Sequence, residues 1–237
     1  MKTHRLVLLP LCMLMGCDRE APVTKGNMMT LSSLYDFETL PGRVHKLHQR
    51  ATDSSGSVVH EVNAEFDRQG CIIAFAMDSD LSGRVHLKRQ AAQLTGDENG
   101  EAVVYELNQQ CEIESKFNLA KKQRTRFRYN EQGWLVESIP EYAGVRYRYA
   151  YDDTGLQLSV IGSAENRTIE EIHYTWPQKA ARPADYTMNI KTPEGESTIS
   201  MRCEYQKKIP VACDIVRQPG ANSAGVTLKA TLETTFY

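Results

Sequence analysis

The sequence predicts an all-β fold, an antiparallel meander of hairpins that forms a curled sheet or a partly closed barrel. Two observations predict it: a turn signal recurs along the chain, and the segments between turns alternate polar and apolar residues with the period of two typical of strands. No segment has the apolar spacing of a convincing amphipathic helix. The 237 residues are 41% hydrophobic and 24% charged, a composition that supports one packed domain.

The recurring turn signal is an aromatic residue, then Asp or Asn, two further residues, and Gly. It occurs at 66–70, 129–133 and 151–155, and without the aromatic residue at 53–56 and 97–100. The Asp or Asn side chain can bond to the backbone just ahead of it, and Gly accepts a positive φ. Short loops of this kind join antiparallel strands, so each copy predicts a hairpin.

The segments between these turns are the predicted strands, of which 84–94 is the most ambiguous. Their approximate ranges are 43–52, 57–66, 71–77, 84–94, 102–114, 124–130, 134–139, 145–151, 156–161, 168–175, 185–191, 197–205, 211–217 and 226–236. A sheet of so many strands must twist, curl or split into two layers. We therefore expect one domain built on a curled sheet or a partly closed barrel.

The N-terminus has the features of a secretory signal peptide. Lys2 and Arg5 precede the apolar run Leu6–Met15, which is shorter than the roughly 20 residues needed to span a bilayer. The predicted regions are 1–16, a signal peptide; 17–33, a lipidated cysteine and tether; and 34–237, a single periplasmic β domain. The net charge of −2 gives no signature of nucleic-acid binding.

The stretch Leu14-Met15-Gly16-Cys17 resembles the lipobox of bacterial lipoproteins. The resemblance implies cleavage before Cys17 and a cysteine that carries S-diacylglycerol and N-palmitoyl groups. Asp18 resembles the signal that keeps enteric lipoproteins at the inner membrane, which implies the periplasmic side of that membrane in preference to the outer membrane. The alternative is an ordinary signal peptide with a chance cysteine.

The cysteine count agrees with a lipid anchor. Of six cysteines, Cys12 falls in the signal peptide and Cys17 is assigned to lipid. The remaining four are Cys71, Cys111, Cys203 and Cys213. Cys203 and Cys213 flank a tight turn, and opposed hairpin positions lie within disulfide range, which leaves Cys71 to pair with Cys111. The other two connectivities stay possible, and an oxidising periplasm suits either outcome.

Several motifs together resemble the YnfC-like lipoproteins of enteric bacteria. They are Cys17-Asp18-Arg19, Gly42-Arg43-Val44, Gly70-Cys71, Cys203-Glu204-Tyr205 and Pro210-Val211-Ala212-Cys213. That family has no established biochemical activity. The resemblance therefore implies an exported, lipid-anchored location and the use of the cysteines, and it implies no catalytic residues.

The sequence predicts that the protein is not an enzyme and holds neither a metal nor a cofactor. His45 and His48 are the only close histidines of the body, and on a strand two residues three apart point to opposite faces. No carboxylate or cysteine completes a zinc set with them. Neither a nucleophile elbow nor a phosphate-binding loop occurs in the sequence.

The strongest surface signal is basic. Its residues are Lys121, Lys122, Arg124, Arg126, Arg128, Arg146 and Arg148. If their two hairpins pair, these side chains form a cationic stripe that could dock on anionic lipid headgroups or on an acidic envelope polymer. The alternative is a solvated face that is neutralised by Glu112, Glu114, Glu137 or Glu141.

These observations predict a lipid-anchored envelope protein that acts as a structural or interaction module, with an unknown protein partner. The alternative is a periplasmic ligand-binding module for an apolar or saccharide ligand. The row Tyr147, Tyr149 and Tyr151 suits either scheme, because it can form core or line a cleft.

Overall fold

The computed structural model describes residues 27–40, 42–80, 82–165, 167–177, 182–220 and 225–237. The predicted signal peptide, the lipidation site Cys17 and the sorting residue Asp18 lie outside the described residues. Within those residues, no helix combines the length and the apolar composition that a membrane span requires.

One helix, α1 (Asn27–Tyr35), precedes the strands. The first eight strands are β1 (Val44–Thr52), β2 (Val58–Phe66), β3 (Ile72–Ser79), β4 (Gly83–Gln90), β5 (Gln93–Glu98), β6 (Glu101–Leu107), β7 (Ile113–Asn118) and β8 (Gln123–Tyr129). The next eight are β9 (Leu135–Pro140), β10 (Val145–Tyr151), β11 (Gln157–Ala164), β12 (Arg167–Thr175), β13 (Tyr186–Thr192), β14 (Gly195–Gln206), β15 (Ile209–Pro219) and β16 (Val226–Phe236).

The strands form one closed antiparallel barrel. Each strand pairs with its neighbours in sequence, and β1 pairs with β16 to close the ring. The register of that closing pair runs from Val44 opposite Phe236 to Thr52 opposite Lys229. The predicted all-β meander is confirmed, and closure gives every strand of the ring a partner on each side.

The two ends of the barrel differ. At the proximal end, where the described chain begins, the Asn27 side-chain amide donates to the carbonyl groups of Gly70 (3.2 Å) and Cys111 (3.1 Å). The β2–β3, β6–β7, β8–β9 and β10–β11 turns lie at this end, as follows from the alternating strand directions. The opposite end, which carries the β5–β6, β7–β8 and β9–β10 turns, is called the distal end below.

Helix α1 fills the barrel, which corrects part of the predicted tether. Met28 and Leu31 have no exposed surface, and Thr30 lies 2.5 Å from the Tyr129 hydroxyl on β8. The Tyr35 ring stacks on Phe75 of β3 at a centroid distance of 5.2 Å. Residues 27–33 were predicted to be tether because their apolar residues follow no clear helical period. Six of the nine residues of α1 are buried, although Ser33 is exposed, so the helix needs no single apolar stripe.

Inside and outside are sharply different on the strands β1 to β9. On β4, for example, Val85 and Leu87 are buried, whereas Arg84, His86 and Lys88 are exposed. The core cluster joins such inward residues to α1 and to inward residues of β14, β15 and β16. The interior of this part of the barrel is therefore packed, and the outer face of β4 is polar.

The predicted turn chemistry is confirmed at four positions and explains one hairpin turn that was not predicted. Asp53, Asp67, Asn130 and Asp152 each accept two backbone N–H bonds through their side chain. Asn108 does the same, although Cys111 with a φ of 63° stands where the signal has Gly. The predicted strand 102–114 is therefore two strands, β6 and β7.

The ambiguous strand 84–94 is also a hairpin, and the fifth turn signal has a different centre. Ala91, with a φ of 54°, begins the short turn between β4 and β5. Two successive alanines carry no turn signal, so the sequence did not predict this break. At 97–100 the turn consists of Asn99 and Gly100, both with positive φ, while Asp97 remains in β5.

The structure confirms both disulfides and selects one connectivity. Cys71 is bonded to Cys111, and Cys203 is bonded to Cys213. Cys203 and Cys213 are register partners on β14 and β15, with Cα atoms 4.0 Å apart. The predicted hairpin pairing is therefore correct.

Candidate functional site

The basic residues predicted from the sequence meet on the outer wall of strands β8, β9 and β10. Arg128 and Arg148 lie on either side of Glu137 in register, because β9 runs between β8 and β10. Arg126 and Arg146 lie two residues away on the same outward faces. We call Arg126, Arg128, Arg146 and Arg148, together with Glu137, the arginine wall.

One carboxylate holds three of the four guanidinium groups. Glu137 lies 3.3 Å from Arg128, 3.3 Å from Arg146 and 3.9 Å from Arg148. The fourth group, on Arg126, pairs with Glu141 at 2.6 Å. Glu137 and Glu141 are two of the four carboxylates expected to neutralise the stripe, whereas Glu112 instead accepts a hydrogen bond from Asn108 at 2.8 Å.

Neutralisation of the arginine wall is incomplete. Four guanidinium groups face two carboxylates, which leaves an excess of two positive charges. The side chain of Glu137 is only 11% exposed, while those of Arg128 and Arg148 are 69% and 67% exposed. The carboxylate is thus covered, and the cations lie in solvent where they can contact an anionic partner.

The other three predicted basic residues do not join the arginine wall. Lys121 pairs with Glu101 at 2.7 Å on the distal end. Lys122 sits in the β7–β8 turn with a φ of 54°, and the guanidinium group of Arg124 lies over the Phe117 ring, 5.6 Å from its centroid. The stripe predicted from the sequence is therefore divided between a wall and a distal rim.

A polar cavity of about 310 Å³ opens at the distal end. Glu98 and Lys116 form an ion pair of 2.5 Å in it, and Glu101 pairs with Lys121. Tyr35, at the tip of α1, bonds to Glu98 at 3.3 Å and shares a hydrogen bond with the buried Tyr105 hydroxyl. No local sequence pattern predicts this cavity, because its residues come from three separate hairpins.

A second group that the sequence did not single out lies where the chain leaves α1. Burial raises the pKa of Glu38 to about 7. The Tyr186 hydroxyl, which donates a hydrogen bond of 3.2 Å to the carboxylate, acts in the opposite direction and lowers the pKa. Burial also raises the pKa of Asp36 and lowers the pKa of His60. Attraction between the two oppositely charged side chains acts against both shifts. Because the pKa of Glu38 is about 7, this carboxyl changes protonation near neutral pH and couples the barrel interior to pH.

The two candidate metal ligands make unrelated contacts. His45 lies 3.7 Å from Glu65 and packs against the Tyr237 ring, whereas His48 lies 2.8 Å from Glu61. In the described ranges no group of three or more His, Cys, Asp or Glu side chains could hold a metal ion. The tyrosine row lies inward and half-buried on β10, with Tyr149 3.2 Å from Ser138.

Comparison with known proteins gives both a family and a fold. A model of the uncharacterised protein family UPF0257 matches residues 1–237. The UPF0257 lipoprotein YnfC of Escherichia coli O157:H7 is 24% identical over 223 residues, which cover 91% of this chain and 90% of that protein. A porin-like protein from Bacteroides uniformis has a TM-score of 0.55 at 12% identity, over 81% of this chain and 98% of that one. The likeness to the porin-like protein concerns the fold alone.

Proposed function

Because the chain belongs to the UPF0257 family, whose curated relatives are named lipoproteins, we propose that it is a lipid-anchored envelope protein that acts as an interaction module. The arginine wall is the surface that binds an anionic partner. The proposed role is one of binding and not of catalysis, and it uses no cofactor.

The anchor is proposed to be Cys17, retained by Asp18 at the periplasmic side of the inner membrane. Residues 18–26 separate Cys17 from Asn27, and nine extended residues reach about 30 Å. Since Asn27 lies at the proximal end, that end stays within this distance of the bilayer. Three acyl chains would make such an anchor effectively permanent.

The observation that carries the binding role is the convergence of three arginines on the covered carboxylate of Glu137. The Glu137 side chain is only 11% exposed, so it does not itself contact a ligand. It aligns three guanidinium groups that would otherwise repel one another. Guanidinium groups bind phosphate and carboxylate oxygens through paired hydrogen bonds. The partner is therefore anionic, either a lipid headgroup or an acidic envelope polymer.

The structure of the barrel agrees better with binding at its outer surface than with transport through a channel. Barrels of porin size enclose an aqueous lumen when nothing fills them. Here α1 and the inward residues of β1 to β9 pack into one core, and the outer face of β8 to β10 carries the arginine wall. We therefore propose that ligands meet the outside of the wall and do not pass through it.

Charge reversal tests the proposal on the chain from Asp18 onward, which carries no lipid. Arg126→Glu, Arg128→Glu, Arg146→Glu and Arg148→Glu together are expected to lower affinity for anionic vesicles or for a soluble acidic polysaccharide more than tenfold. The probe that the unaltered chain binds, vesicle or polysaccharide, identifies the class of anionic partner. The matched control reverses four exposed cations elsewhere on the barrel, Lys46, Arg84, Lys88 and Lys229. Equal losses in both variants, or no binding by the unaltered chain to either probe, would refute the role.

A further inference from the structure

The distal cavity has the chemistry of a site for a neutral, hydroxyl-rich ligand. We infer that it binds a small saccharide. This inference is independent of the arginine wall, and it concerns residues of β5, β6, β7, β8 and the β9–β10 turn. The cavity volume of about 310 Å³ lies at the lower limit of ordinary small-molecule sites.

Charge balance argues for a neutral ligand. The lining carboxylates, Glu98 and Glu101, each hold one lining ammonium group, at 2.5 Å on Lys116 and 2.7 Å on Lys121. The two pairs cancel, so the cavity offers no net charge to an ion. An ionic ligand would have to break one of these pairs before it could bind.

Hydrogen-bonding capacity argues for hydroxyl groups. Asn118 already donates to Glu101 at 2.8 Å and accepts from the Lys121 backbone at 2.9 Å. Gln123 and Thr125 also line the cavity, and their side chains make no hydrogen bond with any other described residue. A hydroxyl group both donates and accepts, as do the amide of Gln123 and the hydroxyl of Thr125.

The rim supplies an aromatic surface. Tyr142, on the β9–β10 turn, lines the cavity and is 57% exposed, the highest value among the large apolar and aromatic side chains of the described residues. An aromatic ring presents an apolar face and a polar hydroxyl. A saccharide matches both, since its C–H face can stack on the ring while its hydroxyl groups reach Gln123 and Thr125.

The floor of the cavity is fixed in place. The Lys116 ammonium lies 5.7 Å from the Tyr35 ring centroid and 5.9 Å from that of Tyr105. Its partner Glu98 accepts a hydrogen bond from Tyr35, the last residue of α1. These contacts tie the cavity to the helix, so the lining groups are held before a ligand arrives, which lowers the entropic cost of binding.

Saturation-transfer NMR on the full-length protein, in a detergent without a sugar headgroup, tests the inference. The probes are N-acetylglucosamine and maltose as neutral saccharides, with glucuronate and glucosamine as charged analogues. We expect saturation transfer to the neutral probes, and at least a fivefold loss of affinity in Tyr142→Ala and in Gln123→Ala. Tyr237→Ala, the same change at an exposed tyrosine of the proximal end, should leave binding unchanged.

Charge reversal of Arg128, Arg146 and Arg148, which pair with Glu137 and not with the Glu141 beside Tyr142, should leave saccharide binding unchanged. Failure of the proposed function and failure of this inference are therefore separate results. Thermal unfolding checks that each variant is folded. Absence of transfer to any probe at millimolar concentration, preference for a charged probe, or transfer unaffected by Tyr142→Ala and Gln123→Ala would overturn the inference.

Discussion

Cys71 and Cys111 are bonded to each other beside the first residue of the helix that fills the barrel. Each cysteine belongs to a turn of the same type, led by Asp67 in one case and by Asn108 in the other. The amide of Asn27 bonds to carbonyl groups of both turns. One disulfide therefore joins two hairpins, and both are tied to the point where the chain enters the barrel.

The two disulfides should differ in their contribution to stability. Cys71 and Cys111 are 40 residues apart and Cys203 and Cys213 are 10 apart. In the chain-entropy relation, removal costs about 4 kcal/mol for the longer loop and about 3 kcal/mol for the shorter one. Urea unfolding of Cys71→Ser/Cys111→Ser and of Cys203→Ser/Cys213→Ser measures the difference. An equal or larger loss in the second variant would show that loop length does not control the effect.

Asn27→Ala should loosen the helix from the proximal end. The change removes two hydrogen bonds, to Gly70 and Cys111, and leaves two partly buried carbonyl groups short of a donor. We expect a loss of about 1–3 kcal/mol in the free energy of unfolding. The control is Asn63→Ala, an exposed position on β2 where the change should stay within about 0.5 kcal/mol. Indistinguishable unfolding curves for the two variants would contradict the structural role of Asn27.

Glu38 should make the barrel less stable as pH rises. Its pKa is raised by burial from 4.5 to about 7, so between those values the folded state binds more protons than the unfolded state. Linkage then requires the stability due to this group to be greatest below pH 4.5 and to be lost as pH rises towards 7.

Glu38→Gln isolates that contribution, because the amide does not ionise. The thermal midpoint of the unaltered protein should fall more between about pH 5 and about pH 8 than that of the variant. Glu131→Gln, at an exposed turn position, serves as the control and should follow the unaltered protein. A steeper fall in Glu38→Gln than in the unaltered protein would reverse the sign and refute the assignment.

Glu137→Gln should strengthen binding to anionic surfaces. It removes one of two carboxylates that face four arginines, so the excess positive charge rises from two to three. One added charge near an anionic bilayer contributes about 1 kcal/mol, which is about fivefold in affinity. Vesicle binding of Glu137→Gln is compared with that of Glu233→Gln on the outer face of β16. Weaker binding by Glu137→Gln, with folding intact, would contradict this prediction and show that alignment of the arginines by the carboxylate outweighs the added charge.

Short-range patterns were enough to predict much of the fold. The turns at Asp67, Asn130 and Asp152 depend on local side-chain bonds, so the hairpins around them were predictable. The turn at Asn108 was missed because Cys111 adopts a conformation usually reserved for Gly, and the tertiary disulfide holds it there. Closure of the ring through β1 and β16 joins residues from opposite ends of the chain, which no local pattern records.

Some of the candidate site residues could likewise be predicted from local patterns, and others depend on contacts between distant parts of the chain. Arg126, Arg128, Arg146 and Arg148 could be placed together because alternation along two neighbouring hairpins puts them on one face. Glu38 could not be identified, since its raised pKa comes from burial by strands far away in sequence. Tyr142 and the distal cavity could not be predicted either, because the cavity is lined by residues of three separate hairpins.

Site-specific crosslinking in living cells tests the binding role of the arginine wall most directly. A photoreactive p-benzoylphenylalanine replaces Ala150, an exposed residue of β10 beside Arg148, or Asn63 on β2 across the ring. We predict an adduct with an anionic lipid or polymer from position 150, none from position 63, and loss of the adduct when the four arginines are reversed to Glu. Equal adducts from both positions, or an adduct at 150 that survives the reversal, would contradict the proposal.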